Sequence, residues 1–359
     1  MARMPSSFGR GQPGPLRRFT VLTVCALAGW LAACSSPSTS PPAPTSPAPT
    51  APAPAAPTCR DDPSACFEEA RKAELDTSPQ KSFTRPAELY ARACNKGHHA
   101  EACFRVATLS AEVGGKLHDS RRAREFGKKG CELSHAPSCA LVATLYFEGT
   151  GADKNDERAA EFAQKACDGG SASGCATLGV LKLGGHGEGP EVTAGVKLLE
   201  RACTEGAAAG CFELSGLYAL GRGVKQDDQR AHLLKQQGCD GGHGRACFEL
   251  GMAYDGASHV VKHDKSKAAA LFEKSCALKL PEGCLTLAEM LLDGVGIQAD
   301  APRAATLLGP LCDSGDAGSC GRLGDLYEKG RGVERDVERA RALKQKACEG
   351  RSLDYCARR

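Results

Sequence analysis

A chain of 359 residues with 42 glycines, 20 cysteines and only 5% aromatic residues has the length for a large core but few of the side chains that usually fill one. Many small helical units joined by tight turns suit this composition better. With 46 Lys and Arg against 43 Asp and Glu, the formal net charge is +3, which excludes the strongly basic stripe of a nucleic-acid-binding chain.

At the N-terminus, Arg17 and Arg18 precede the apolar run FTVLTVCALAGWLAAC. The run is too short and wrongly flanked for a membrane span. It ends on Leu31-Ala32-Ala33-Cys34, which resembles the lipobox of bacterial lipoproteins. That resemblance implies that residues 1–33 are a signal peptide, that cleavage falls before Cys34, and that the Cys34 thiol receives the lipid. In such proteins an Asp after the lipidated cysteine favours inner-membrane retention. Ser35 stands there instead, which implies the outer membrane. An ordinary secretory signal with an incidental cysteine is the alternative, and Arg17-Arg18-Phe19 also hints at a twin-arginine signal. Four basic residues (Arg3, Arg10, Arg17 and Arg18) and no acidic ones precede Cys34, so the remaining chain is close to neutral.

After Cys34, residues 35–58 contain only Ser, Thr, Pro and Ala. Such a stretch cannot form a core, and its prolines favour extended polyproline II. At about 3.1 Å per residue it could reach roughly 70 Å. The expected role of residues 34–58 is to hold a folded part, residues 59–359, away from a membrane surface.

From residue 59 the cysteines come in pairs: Cys59 and Cys66, Cys94 and Cys103, Cys131 and Cys139, Cys167 and Cys175, Cys203 and Cys211, Cys239 and Cys247, Cys276 and Cys284, Cys312 and Cys320, Cys348 and Cys356. From Cys94 onward the first members recur every 36 or 37 residues. A period near 36 is that of a two-helix unit in a solenoid. After the second cysteine of a pair, apolar residues fall three, six and seven positions on, as in Leu214, Leu217 and Tyr218 or Leu323, Leu326 and Tyr327. This is one helical face. Four positions on, the residue is small (Ala107, Ala143, Gly179, Ser215, Gly251, Ala288, Gly324), which lets a second helix come close. Glycines such as Gly221, Gly223, Gly330 and Gly332 then end the helix. Asp119, Asn155, Asp227, Asp264, Asp300 and Asp336 are placed to cap the next one. The predicted fold is all-α, an α/α solenoid of about eight two-helix repeats.

The stretch GRLGDLYEKGRGVERDVERARALKQKACEG resembles the repeat of the Sel-one-like proteins, a branch of the tetratricopeptide-like solenoids. Its marks are Leu-Gly-x-x-Tyr-x-x-Gly-x-Gly-Val, then Asp, then an alanine-spaced helix. With paired cysteines the chain is similar to the Helicobacter cysteine-rich proteins. The likeness covers residues 59–359. It is strong in the units that begin at Cys139, Cys211 and Cys320, and weaker at Cys66, Cys175, Cys247 and Cys284, where glycines or the tyrosine are lost.

Each pair flanks a short connection between antiparallel helices, within disulfide reach of roughly 5–6 Å. A rival connectivity joins cysteines within a unit, such as Cys175 with Cys203. Pairing across the loop uses all eighteen cysteines after Cys34, whereas pairing within units strands Cys59 and Cys356. Loop pairing is therefore favoured, and its role is structural. Zinc sites prefer two to four intervening residues, fewer than these pairs have. No metal and no cofactor is expected.

As the alternative reading, resemblance to the cysteine-rich proteins implies a link to β-lactams or peptidoglycan, with weak hydrolase activity. The one Ser-x-x-Lys, Ser78-Pro79-Gln80-Lys81, has no Ser-Asp-Asn or Lys-Thr-Gly to complete a serine β-lactamase site. His98 and His99 are adjacent and face apart, while His259 and His263 flank a connection; all nine histidines read as surface or loop residues. The leading functional expectation is a non-catalytic scaffold of the cell envelope that binds a protein or peptide. In solenoids of the resembled family, first helices line the concave side. Their non-core positions lie two, five and nine residues after the cysteine: Glu213, Glu249, Thr286, Glu289, Asp293, Arg322 and Asp325, with Arg105, Glu112 and Glu148 upstream. Acidic residues predominate among them, which favours a basic or extended partner.

Overall fold

The structure is a computed structural model, which describes residues 59, 62–75, 83–112, 118–150, 153–184, 190–350 and 352–356. All of these belong to one unit, Ala56–Arg359. The expected signal peptide, Cys34, the linker and Ser78–Lys81 lie outside the described residues.

Among the described residues the regular elements are helices, arranged in consecutive pairs. The first pair is α1 (Pro63–Glu74) and α2 (Thr84–Gly97). Then follow α3 (Ala100–Ala111) with α4 (Ser120–Glu132), α5 (Ala136–Glu148) with α6 (Asp156–Asp168), and α7 (Ala172–Leu183) with α8 (Pro190–Thr204). Next are α9 (Ala208–Leu220) with α10 (Asp228–Asp240), and α11 (Gly244–Met252) with α12 (Lys265–Ala277). The last pairs are α13 (Pro281–Asp293) with α14 (Ala301–Asp313), and α15 (Ala317–Lys329) with α16 (Val337–Glu349). A single turn, α17 (Leu353–Cys356), follows. Odd-numbered helices from α3 on are the first of their repeats and even-numbered ones the second.

Each helix packs on the next in sequence. Successive first helices also approach one another, more than successive second helices do, so the first helices form the more closely spaced layer. This is the fold that the period and the helical faces predict.

Local chemistry explains the boundaries. Asp119, Asn155, Asp227, Asp264, Asp300 and Asp336 each accept a hydrogen bond from the backbone N–H three residues on, at 2.8–3.0 Å. Gly149, Gly221, Gly294 and Gly330 close first helices in the left-handed conformation, with φ of 66–74°. The small residue four positions after the cysteine sits under a second helix. A Cβ on Gly251 would lie 2.7 Å from the Phe272 ring, and one on Gly179 2.9 Å from Leu199 Cγ. Where this residue carries a side chain, it is buried: Ala107, Ala143 and Ala288 are fully buried and Ser215 nearly so.

One first helix departs from the pattern. After only nine residues α11 passes into a π-turn, Ala253–Ala257, ended by Gly256 at φ 123°. The sequence Tyr-Asp-Gly-Ala-Ser has no Gly-x-Gly stop here, and a single glycine makes the turn instead.

Nine disulfides cross the short connections: Cys59–Cys66, Cys94–Cys103, Cys131–Cys139, Cys167–Cys175, Cys203–Cys211, Cys239–Cys247, Cys276–Cys284, Cys312–Cys320 and Cys348–Cys356. Their Cα atoms are 4.3–4.8 Å apart. From Cys94–Cys103 onward each joins the end of one second helix to the start of the helix that follows, while Cys59–Cys66 ties the residue before α1 to that helix. Small aliphatic side chains fill the core between them, with Tyr90 and Phe272 the largest fully buried rings. Bridges at this density belong to an oxidising, exported environment.

Candidate functional site: the surfaces between repeats

On the first-helix face, positions two, five and nine after each cysteine hold two kinds of group. Most charged ones are neutralised from within the array. Glu249 takes Lys235 at 3.1 Å and Arg245 at 3.4 Å. Arg245 also reaches Glu282 of the next repeat at 3.0 Å. Glu289 is ion-paired with Arg322 one repeat on. Asp325 takes Lys344 at 2.7 Å and accepts a hydrogen bond from the Tyr355 hydroxyl at 3.1 Å. Burial pulls the Lys344 ammonium pKa down, but Asp325 and Glu328 outweigh it and the net shift is upward.

Upstream, Arg105 grips Glu74 at 2.8 Å, and the fully buried Tyr90 donates its O–H to the same carboxylate at 2.7 Å. Burial and Glu74 push the Tyr90 pKa up to about 12. Arg105 and Asp325 thus tie neighbouring elements together. Thr286 donates to the Glu282 carbonyl, Glu148 accepts weakly from Thr150 at 3.5 Å, and Glu112 caps the end of α3 as an exposed residue.

Glu213 and Asp293 differ. Both are exposed, and neither makes a hydrogen bond or ion pair with a described residue. Desolvation, with the charge of Glu249 added, raises the Glu213 pKa from its ordinary value. Two exposed apolar side chains share these positions, Leu220 (79% exposed) nine residues after Cys211 and Met252 (37% exposed) five after Cys247. The acidity legible in the sequence is therefore partly neutralised from within, at Glu249, Glu289 and Asp325, and the open part of the face mixes carboxylates such as Glu213 and Asp293 with apolar groups.

Two further constellations recur. Histidines occupy the N-cap position of three first helices, four residues before the cysteine, and two of them cap with the side chain. The Nδ1 atoms of His99 and His243 each accept the backbone N–H of the third helical residue at 3.2 Å. His135 bonds Ser138 Oγ at 2.9 Å and faces Glu101 at 3.1 Å. Each ring lies against the phenylalanine that follows the previous first-helix cysteine: Phe67 on His99 at 4.1 Å, Phe104 on His135 at 5.3 Å, Phe212 on His243 at 4.5 Å. The second constellation is a tyrosine station. Seven residues after the cysteine, Tyr146, Tyr218, Tyr254 and Tyr327 each lie under a basic residue from the first turn of the following second helix. Arg158, Arg230, Lys267 and Arg339 stand 5.7, 4.4, 4.0 and 4.3 Å from the ring centres. An open furrow beside one station is lined by Glu200, Cys203, Leu214, Arg230, Leu233 and Gln237.

His259 meets Asp228 at 3.3 Å, and His263 lies by Gly256. Among the described residues no three His, Cys, Asp or Glu side chains converge as a metal ion would require. The arrangement offers surfaces for binding.

A stack of two-helix units, each stapled to the next, is a helical-repeat scaffold. The Sel1 repeat profile matches residues 100–135, 136–171, 172–206, 208–243, 244–280, 281–316 and 317–352, so the chain belongs to the Sel1 repeat family. No curated protein gives a significant match. Among solved structures, the chain resembles a protective antigen present in uropathogenic Escherichia coli strains that displays an SLR fold. That likeness has 22% identity and a TM-score of 0.52 and covers 75% of this chain; the chain spans only 57% of the antigen's length. A Sel1 repeat protein from Oxalobacter formigenes is similar at 21% identity and a TM-score of 0.51, covering 82% of this chain and 85% of that one. Helicobacter pylori cysteine rich protein B has 27% identity over 38% of this chain and all of its own, with a TM-score of 0.30.

Proposed function

We propose that the chain is a non-catalytic lipoprotein of the cell envelope. In this reading a lipid on Cys34 anchors it to the outer membrane, residues 34–58 space it from that membrane, and the first-helix face binds a protein or peptide partner. The observation that carries the binding role is the open strip of α9 and α11, where Glu213 stands free of internal partners beside exposed Leu220 and Met252. A solvated face has no need of two bare apolar side chains at these positions. An extended segment with apolar residues and a basic group fits them. A cation beside Glu213 would offset the desolvation that raises its pKa. Glu249 lies within this strip, and Glu289, Asp293, Arg322 and Asp325 continue the same face on α13 and α15; of these, all except Asp293 also pair within the array.

The test uses the full oxidised chain, with Glu213→Lys and Leu220→Ser combined. Both side chains are exposed, so the melting temperature should hold. Retention of the envelope protein captured by the wild type, identified by mass spectrometry, should fall about thirtyfold, as expected for two lost contacts of about 1 kcal/mol each. Equal retention would place binding elsewhere, and covalent labelling by a penicillin would contradict the non-catalytic reading. The anchor has its own check: a fatty-acid analogue should label the wild type and leave Cys34→Ala unlabelled.

A further inference from the structure

The tyrosine stations are alike in design and unlike in charge. Three positions before three of the second-helix cysteines, Cys131, Cys203 and Cys276, stands a charged residue on the side of the following repeat. At two of these places it is a glutamate. Glu200 meets Arg230 at 3.9 Å and lies 3.5 Å from the Tyr218 hydroxyl, and Glu273 is ion-paired with Arg303. In the seam where α4 and α6 flank α5, the corresponding residue is Lys128. Like charges therefore meet where other repeats pair opposite ones.

Three cations converge on the buried Tyr146. The Lys128 Nζ is 5.3 Å from the ring centre, and the Arg124 and Arg158 guanidiniums are each 5.7 Å from it. Arg158 Nη1 donates to the Tyr146 oxygen at 3.3 Å. Neither Lys128 nor Arg158 has a described carboxylate within ion-pair distance. Glu161 feels both charges, but its carboxylate is bonded to Lys165 at 2.7 Å. Arg158 is exposed, while Lys128 and Arg124 are half-buried, so the cationic cluster opens to solvent.

The phenols report the difference in field. Burial pushes the Tyr218 pKa up, with Glu200 adding to the rise. Burial acts the same way on Tyr146, yet hydrogen bonds and charges from Lys128 and Arg158 bring its pKa below the ordinary value. Positive charge here is in excess of what the fold itself neutralises.

We propose that Lys128, Arg158 and Tyr146, with Arg124 behind them, form a binding site for one compact oxyanion of the phosphate type. Two negative charges match the two unpaired cations, and the several oxygens accept from the guanidinium, the ammonium and the phenolic O–H together. A single carboxylate would leave one cation uncompensated. This site involves second helices and stands apart from the strip on α9 and α11, so either can fail without the other.

The full oxidised chain is titrated with inorganic phosphate at constant ionic strength, with chloride as the control, by calorimetry. Saturable binding at one site is expected. Lys128→Glu reinstates the Glu–Arg pairing of Glu200 and Arg230, so it should fold at least as stably as the wild type and bind phosphate about tenfold or more weakly. Tyr146→Phe, which keeps the charges, should weaken binding less. A parallel arm uses neutral vesicles with and without a phosphomonoester headgroup. Binding to headgroup vesicles as well as to phosphate places the oxyanion on a lipid, and binding to phosphate alone makes it a soluble group. No binding beyond the chloride control, or undiminished binding by Lys128→Glu, overturns the proposal.

Discussion

His243 stands where Ser171 and Asp316 stand in other repeats, and like them it caps a first helix with a side-chain acceptor. Only a neutral imidazole has a lone pair on Nδ1 for that role. Burial lowers the His243 pKa, and the charge of Glu249 opposes that only in part. The folded pKa thus lies below the unfolded one. The stabilisation is complete above the unfolded value of about 6.5 and is lost as pH falls below it. Melting temperature should therefore drop more steeply between pH 7 and 5 in the wild type than in His243→Ser, whose hydroxyl caps at either pH. Coincident pH profiles would show that the imidazole cap carries none of this dependence. The sequence held the signal: a histidine four residues before a cysteine, with phenylalanine just after the previous first-helix cysteine. Each histidine taken alone looks like a loop residue, because a cap and a stacking partner 31 or 32 residues upstream appear only once repeats are laid side by side.

At the scale of the element, starts and stops were plain in the chain, because caps act over three or four residues. Asp227 and Gly221 do what their neighbours in sequence require of them. The second glycine of Gly-x-Gly has a longer-range reason. Gly332 combines φ 75° with a backbone so close to α14 that a Cβ would lie 2.4 Å from the Ala301 carbonyl carbon. The glycine therefore serves both as a left-handed residue and as the contact between one repeat's turn and the previous second helix. Gly332→Ala should cost about 2–4 kcal/mol, from left-handed strain plus overpacking against backbone. The same change at Gly309, inside α14 where a Cβ meets nothing within 4 Å, should instead stabilise by about 0.5–1 kcal/mol, because alanine is the better helix former. Equal losses in thermal denaturation would mean that the close approach is unimportant. The π-turn in α11 was not legible. Loss of the Gly-x-Gly stop marks this unit as irregular, but where a helix widens is decided by packing on α12.

For the molecule as a whole, the period of the cysteines gave architecture and connectivity together, since a spacing near 36 and a pair around each turn admit few arrangements. Seven repeats match the family profile, and α1 with α2 adds an N-terminal pair before them. The charge pattern misled because neutralising partners sit in adjacent repeats: Arg322 for Glu289, and Arg245 for Glu282. Ion pairs between repeats cannot be read from one repeat at a time. They also mean that reversing Glu249 and Glu289 would weaken the array itself, which is why Glu213 is the cleaner probe of binding. Each unit contacts chiefly its neighbours, so stability is nearly a sum over units and junctions. A bridge closing so short a loop is worth about 2.5 kcal/mol in the chain-entropy model. Removing Cys239 and Cys247 together should loosen hydrogen exchange in α10 and α11 while the distant α3 and α4 stay protected; uniform loosening would mean that the array unfolds as one body.

A scaffold of this kind depends on the loop-crossing bridges, and disulfide mapping tests them most directly. Protein purified from oxidising export is alkylated without reduction, cleaved at the acidic residues between partners (Asp168 and Glu205 among them) and analysed by mass spectrometry. Nine nearest-neighbour bridges are expected, including Cys167–Cys175 and Cys203–Cys211, with no free thiol among these eighteen cysteines. Recovery of Cys175–Cys203, or of alkylated cysteines within the repeats, would contradict a stapled scaffold.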